Sequence, residues 1–71
     1  MKKTLTPSMI AFRIRKARTD RHLSQGALAK RAGLSLNTIV KIELRVNENP
    51  TIGTLRSIAA ACNVKVHEFI P

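Results

Sequence analysis

Residues 23–43 read LSQGALAKRAGLSLNTIVKIE, and the reading of this stretch decides the fold. Ser24 is a good N-cap for a helix over Gln25 to Ala32, because its hydroxyl can accept from an unpaired backbone N–H of the first turn. Leu28, Ala29 and Ala32 give that helix its buried side. Gly33 suits the left-handed position that ends a helix, since it has no Cβ to clash there. Leu34 follows as an apolar plug, and Ser35 caps a second helix running to about Leu44 with Ile39 and Ile42 facing inward. A small residue at Ala29 and a turn at Gly33 allow two short helices to pack closely near a right angle. Large replacements at either position are expected to damage the unit.

Outward from this unit, the chain supplies more short helices. Ile10, Ile14 and Ala17 recur at spacings of four and three, which predicts a helix from about Met9 to Arg21 with Arg13, Lys16 and Asp20 opposite. Before it, residues 1–8, MKKTLTPS, have no helical period and read as a flexible basic arm ending at an N-cap near Pro7 or Ser8, leaving residues 9–71 as one domain. Phe12 falls off the apolar stripe and either packs under the arm against Leu5 or joins a subunit contact. Thr51, after Asn49-Pro50, caps a fourth helix whose apolar face is Ile52, Leu55, Ile58, Ala59 and Cys62. Asn63 tolerates the left-handed conformation at its end, and Val64 and Val66 lead into a short fifth helix with Phe69 and Ile70.

The charge of +9 over 71 residues is unevenly placed. Eleven Lys or Arg fall between Lys2 and Arg45 against Asp20 and Glu43, while beyond Val46 the charges cancel. Excess positive charge around one structural unit points to a polyanionic partner, reached by long-range steering and counterion release. A basic helix on a membrane surface would share the charge, but the apolar residues are divided among short capped helices that bury one another, and no run of about 18 apolar residues spans a bilayer. A single cysteine, Cys62, excludes an internal disulfide and reads as a small core residue. Neither His22 nor His67 stands in a catalytic or metal-ligating arrangement. No cofactor, metal or enzymatic activity is expected, and the expected location is cytoplasmic.

The stretch above, followed by NPTIGTLRSIAAACNV and the ending VHEFI, resembles the lambda-repressor-like domain of the Cro and phage-repressor helix-turn-helix family from about Ile10 to Ile70. The motifs carrying the resemblance are L-S-Q-x-x-L-A, the Ala-Gly-Leu-Ser turn and the I-x-x-I-E ending. The resemblance implies an all-α, five-helix bundle whose third helix reads the major groove of double-stranded DNA, as a transcriptional regulator and a homodimer on a palindromic operator. On that helix Asn37 can pair with an adenine and Lys41 can donate to a guanine, while Leu36 or Val40 packs on a thymine methyl. By resemblance Gln25 holds a phosphate at the start of the second helix, with Ser35 and Thr38 as counterparts on the third. Arg13, Arg15 and Arg45 are further phosphate candidates, with Lys30 and Arg31 as looser ones. The resemblance also implies an ion pair between Arg18 and Glu43. Half-sites would lie about 34 Å apart, with the dimer formed by the loop before the fourth helix, the fifth helix and Phe69-Ile70. The alternative is an antitoxin-like module that masks a partner protein, with DNA binding secondary. Two departures from the family stand out: the loop LRVNEN is one residue longer than usual and lacks a Gly after the third helix, and Gly53 replaces a Glu that would complete a capping box.

Overall fold

The computed structural model describes residues 7–46 and 50–70. Within them the chain is helical throughout: α1 Pro7–Asp20, α2 Gln25–Ala32, α3 Leu36–Glu43, α4 Ile52–Ala61 and a 3-10 turn at Val66–Glu68. The expected arm falls largely outside the described residues. Helix α1 already includes positions 7 and 8, which a proline permits because the first-turn N–H has no intrahelical acceptor to lose.

The periodicities find one core. Ile14, Leu28, Ile39, Leu55, Ile58 and Cys62 are fully shielded from solvent, with Ala29, Ile42 and Ala59 beside them. Ala11, off the expected stripe of α1, is buried as well, whereas Ile10 and Ala17 lie at the core's edge and Ala32 is half-buried. The α2 and α3 helices pack closely against each other, α1 lies against α3, and α4 lies behind α2.

Local chemistry starts each of the later helices. Ser24 accepts from the Ala27 N–H at 3.0 Å, Ser35 from Thr38 at 3.1 Å and Thr51 from Thr54 at 3.0 Å. At α4 the capping-box position, three residues after Thr51, is Thr54 and not Gly53, and Thr51 Oγ1 donates to Thr54 Oγ1 at 2.9 Å.

All four helices stop in the same way. A residue one or two positions past each, His22, Gly33, Arg45 or Asn63, has φ between 57° and 70°, and the next amide reaches back five residues. Leu23 donates to Arg18 at 3.1 Å, Leu34 to Ala29 at 2.9 Å, Val46 to Lys41 at 2.8 Å and Val64 to Ala59 at 2.9 Å. Arg45 therefore performs, with a Cβ, the backbone role expected of a Gly.

The fifth helix is not an α-helix. Three residues of 3-10 structure suffice because Val66 and Phe69, three apart, then fall on one side of the turn, and Phe69 enters the core at 1 % exposure. Lys65 supplies no side-chain cap to extend it. Phe69 is thus spent on this chain's own core, not on a subunit contact.

Candidate nucleic-acid interface

Burying Ile39 and Ile42 turns the rest of α3 outward. Leu36, Asn37 and Lys41 are exposed, and Val40, the fourth base-reading candidate, is half-buried beside them. At the start of this helix the Ser35 and Thr38 hydroxyls share a hydrogen bond of 2.8 Å. One hydroxyl donates within the pair and the other keeps its O–H to donate, beside the first-turn N–H groups at the positive end of the helix, an arrangement suited to a phosphate oxygen.

At the other end of α3, Glu43 holds three helices in register. Its carboxylate is 2 % exposed, and the Arg18 side chain is 13 % exposed. Arg18 donates through Nε to Glu43 Oε2 at 2.7 Å and through Nη2 to Oε1 at 3.0 Å, a bidentate charge-assisted pair. Its Nη1 donates to the Leu23 carbonyl at 2.8 Å, tying the pair to the turn between α1 and α2. From the first position of α2, Gln25 Nε2 donates to Glu43 Oε1 at 3.1 Å. Gln25 is therefore anchored by one amide hydrogen, and its orientation at the start of α2 is set by the end of α3.

The arginines divide between two flanks of α1. Arg15 donates through Nη2 to the Glu43 backbone carbonyl at 3.1 Å, capping the negative end of α3, with Nε 3.9 Å from Glu43 Oε1. It shares a groove of about 220 Å³ with Ala11, Phe12, Glu43 and Arg45. Arg13 instead lines a groove of about 310 Å³ with Lys16, Asp20, Arg21, Glu68 and Phe69. Arg15 and Arg45 are thus brought together, and Arg13 is not with them. Of the looser candidates, Arg31 donates to the Ala61 carbonyl at 3.4 Å; Arg21, outside the candidate set, donates to that of Asn63 at 3.3 Å. These bonds direct both guanidiniums at the negative end of α4, whose last turn has no basic residue of its own.

Three of these interactions lay beyond sequence reading: the Gln25 bond to Glu43, the Arg15 cap on α3, and the Arg21 and Arg31 pair on α4. The one available signal was a single acid at the end of α3 in a strongly basic chain, which has to be neutralised if it is buried. Among the described residues there is no cluster of three or more His, Cys, Asp or Glu able to hold a metal ion, and no helix is long and apolar enough to cross a membrane. Burial raises the Cys62 thiol above its usual range, opposed by the positive charges of Arg21, Arg18 and Arg31.

Comparison with known proteins agrees with this geometry. The profile of the helix-turn-helix family HTH_3 matches residues 14–69. The HTH-type transcriptional regulator SinR of Bacillus subtilis (strain 168) is 32 % identical over 62 residues, covering 87 % of this chain and 56 % of that protein. The chain therefore spans about half the length of the curated relatives it matches. Among solved structures, SinR, the master regulator for biofilm formation, in complex with DNA is similar at a TM-score of 0.84 and 31 % identity, over 87 % of this chain and 98 % of that one. The restriction-modification controller protein C.AhdI from Aeromonas hydrophila is similar at 0.82 and 27 % identity, over 89 % of this chain and 94 % of that one.

Proposed function

We propose, on the premise that the chain belongs to the helix-turn-helix family, that it is a sequence-specific binder of double-stranded DNA that regulates transcription. It acts in the cytoplasm by binding and not by catalysis. The observation that carries this reading is the exposed polar face of α3, with Asn37 and Lys41 on a helix whose inner face is locked by Ile39, Ile42 and Glu43. A helix held this firmly can place side chains against base edges without first paying to order them.

In this reading Leu36, Asn37, Val40 and Lys41 read bases. Ser35 and Thr38 hold a phosphate at the start of α3, and Gln25 holds one at the start of α2 with the part of its amide that Glu43 leaves open. Arg15 and Arg45 meet the backbone beyond the far end of α3, while Arg13, on the other flank of α1, contributes charge at longer range. Arg18 and Glu43 orient the reader without touching DNA. If about six phosphates are neutralised, log K falls against log salt with a slope near −5. The chain binds as a homodimer on a palindromic operator with half-sites about 34 Å apart. SinR in complex with DNA, similar over most of this chain, supports the reading.

The test is selection of bound sequences from a random duplex pool at about 150 mM salt, with Asn37→Ala and Lys41→Ala beside the parent. The expected result is an enriched palindrome whose preference relaxes at a single position in each variant, by about 1 to 3 kcal/mol. Binding without a motif, lost as salt rises, would leave only a nonspecific basic surface.

A further inference from the structure

The carboxyl end of α4 gathers cations and no anion. Arg21, just past α1, donates to the Asn63 carbonyl at 3.3 Å, and Arg31, in the last turn of α2, donates to that of Ala61 at 3.4 Å. Together with Ala60, Ala61 and Asn63 they line a cleft of about 540 Å³. Each bond uses one N–H of a guanidinium and sets its direction, leaving the rest of the donor fork to the cleft that both side chains line. The bonds orient these charges without cancelling them. Both carbonyls are neutral, and the end of a helix carries roughly half a negative charge, so more than one positive charge is left over. No carboxylate lines the cleft, and among the described residues no ion pair joins Arg21 or Arg31 to an acid, since Asp20 is taken by Lys16 and Glu43 by Arg18.

The lining says what fits. Its apolar part is alanine alone, with none of the large side chains by which a protein partner is held. Arg31 also lies at the other end of α2 from Gln25, so the cleft is separate from the helix starts assigned above to the DNA backbone. A carboxylate is planar, and a single guanidinium fork satisfies it. A phosphate monoester brings a third oxygen and a charge of about −1.5 to −2, which suits two forks and the charge left over. The cleft is larger than a phosphate needs and falls in the size range of small-molecule sites. We infer that it binds a small phosphorylated molecule, the phosphate between Arg21 and Arg31 and the remainder over Ala60 and Ala61.

The probes are inorganic phosphate and pyrophosphate, added at constant ionic strength to the isotopically labelled full chain without DNA and followed by amide chemical shifts. Both are expected to move Arg21, Arg31, Ala61 and Asn63 together and to saturate, pyrophosphate at the lower concentration. The double variant Arg21→Gln, Arg31→Gln is expected to bind pyrophosphate at least about tenfold more weakly, as loss of charge-assisted hydrogen bonds requires. An amide spectrum that matches the parent's away from the cleft shows that its fold is kept. Arg31→Lys, which keeps the charge and loses the fork, is expected to fall between the double variant and the parent. Shifts that never saturate, or an affinity that neither variant changes, overturn the proposal. So do shifts centred on Gln25, Ser35 and Thr38, which would send the anion to the helix starts. Succinate binding as tightly as phosphate overturns the choice of a phosphate, and a glutamate-rich peptide binding more tightly than pyrophosphate would make the cleft a protein contact. Because the titration contains no DNA, its result does not depend on the chain being a DNA binder.

Discussion

The turns at the two ends of α3 have the same backbone and opposite surroundings. Before the helix, Gly33 takes φ 70° and Leu34 closes the six-residue bond, its side chain packed on the core. After the helix, Arg45 takes φ 65° and Val46 closes the equivalent bond, but Val46 stands in solvent. The first turn follows the local rules for stability. The second breaks two of them, placing a side chain where the backbone favours glycine and an aliphatic residue where nothing covers it. Local conflicts of this kind persist where a side chain is needed for something other than folding. The comparison teaches that α3 is anchored by one end and presented by the other.

The largest expected effect comes from removing what joins the two ends. Glu43→Ala leaves Arg18 buried against a carboxylate that is gone and frees Gln25 and Arg15 from α3, at a cost of about 3 to 5 kcal/mol. Urea denaturation should show most of the domain's stability lost, since a domain of this size has little to spare. A variant that unfolds at the parental midpoint would mean that the pair holds nothing.

Next come reciprocal changes at the turns. Gly33→Ala meets no atom within 4 Å, so its cost is conformational alone, about 1 to 2 kcal/mol. For alanine, then, the left-handed φ and not the space around the Cβ sets the cost. Arg45→Gly should do the reverse, raising Tm by about 4 to 8 °C for each kcal/mol recovered, while lowering DNA affinity and shrinking the salt slope by about one. If Arg45→Gly instead lowers Tm, the arginine is structural and the contrast between the turns collapses.

The smallest effect concerns pH. Burial raises the Cys62 thiol in the folded chain, so the unfolded chain loses that proton first. The thiol's contribution to stability is complete below the ordinary thiol range and is lost as pH rises through that range toward the higher folded value. Melts at rising alkaline pH should decline slightly, and Cys62→Ala should flatten that part of the decline relative to the parent.

How much was legible follows the range of each interaction. The core positions Ile14, Leu28, Ile39 and Ile58 and the caps at Ser24, Ser35 and Thr51 depend on neighbours a few residues away, and periodicity with side-chain chemistry finds them. The 3-10 turn in place of a fifth helix was missed because the burial of Phe69, a tertiary demand, decided the winding over too few residues for propensity to matter. Arg45 in a left-handed conformation was hidden because the residue there is not the one the turn prefers. The bonds from Gln25 and Arg15 to Glu43 span 18 and 28 residues and depend on how three helices cross. The clustering of cations was visible as a sum, but the division of Arg13 from Arg15 across α1 needed the packed helices.

The repeated helix ending also sets a timetable for hydrogen exchange. The amides of Leu23, Leu34, Val46 and Val64 all donate five residues back, but three of those residues are packed on the core and Val46 is not. The amides of the three residues packed on the core are expected to exchange more slowly than that of Val46, which is released when one turn frays. The reading helix thus has a slow end and a fast end, and a molecule landing on the fast end can be timed by how far it slows a single proton.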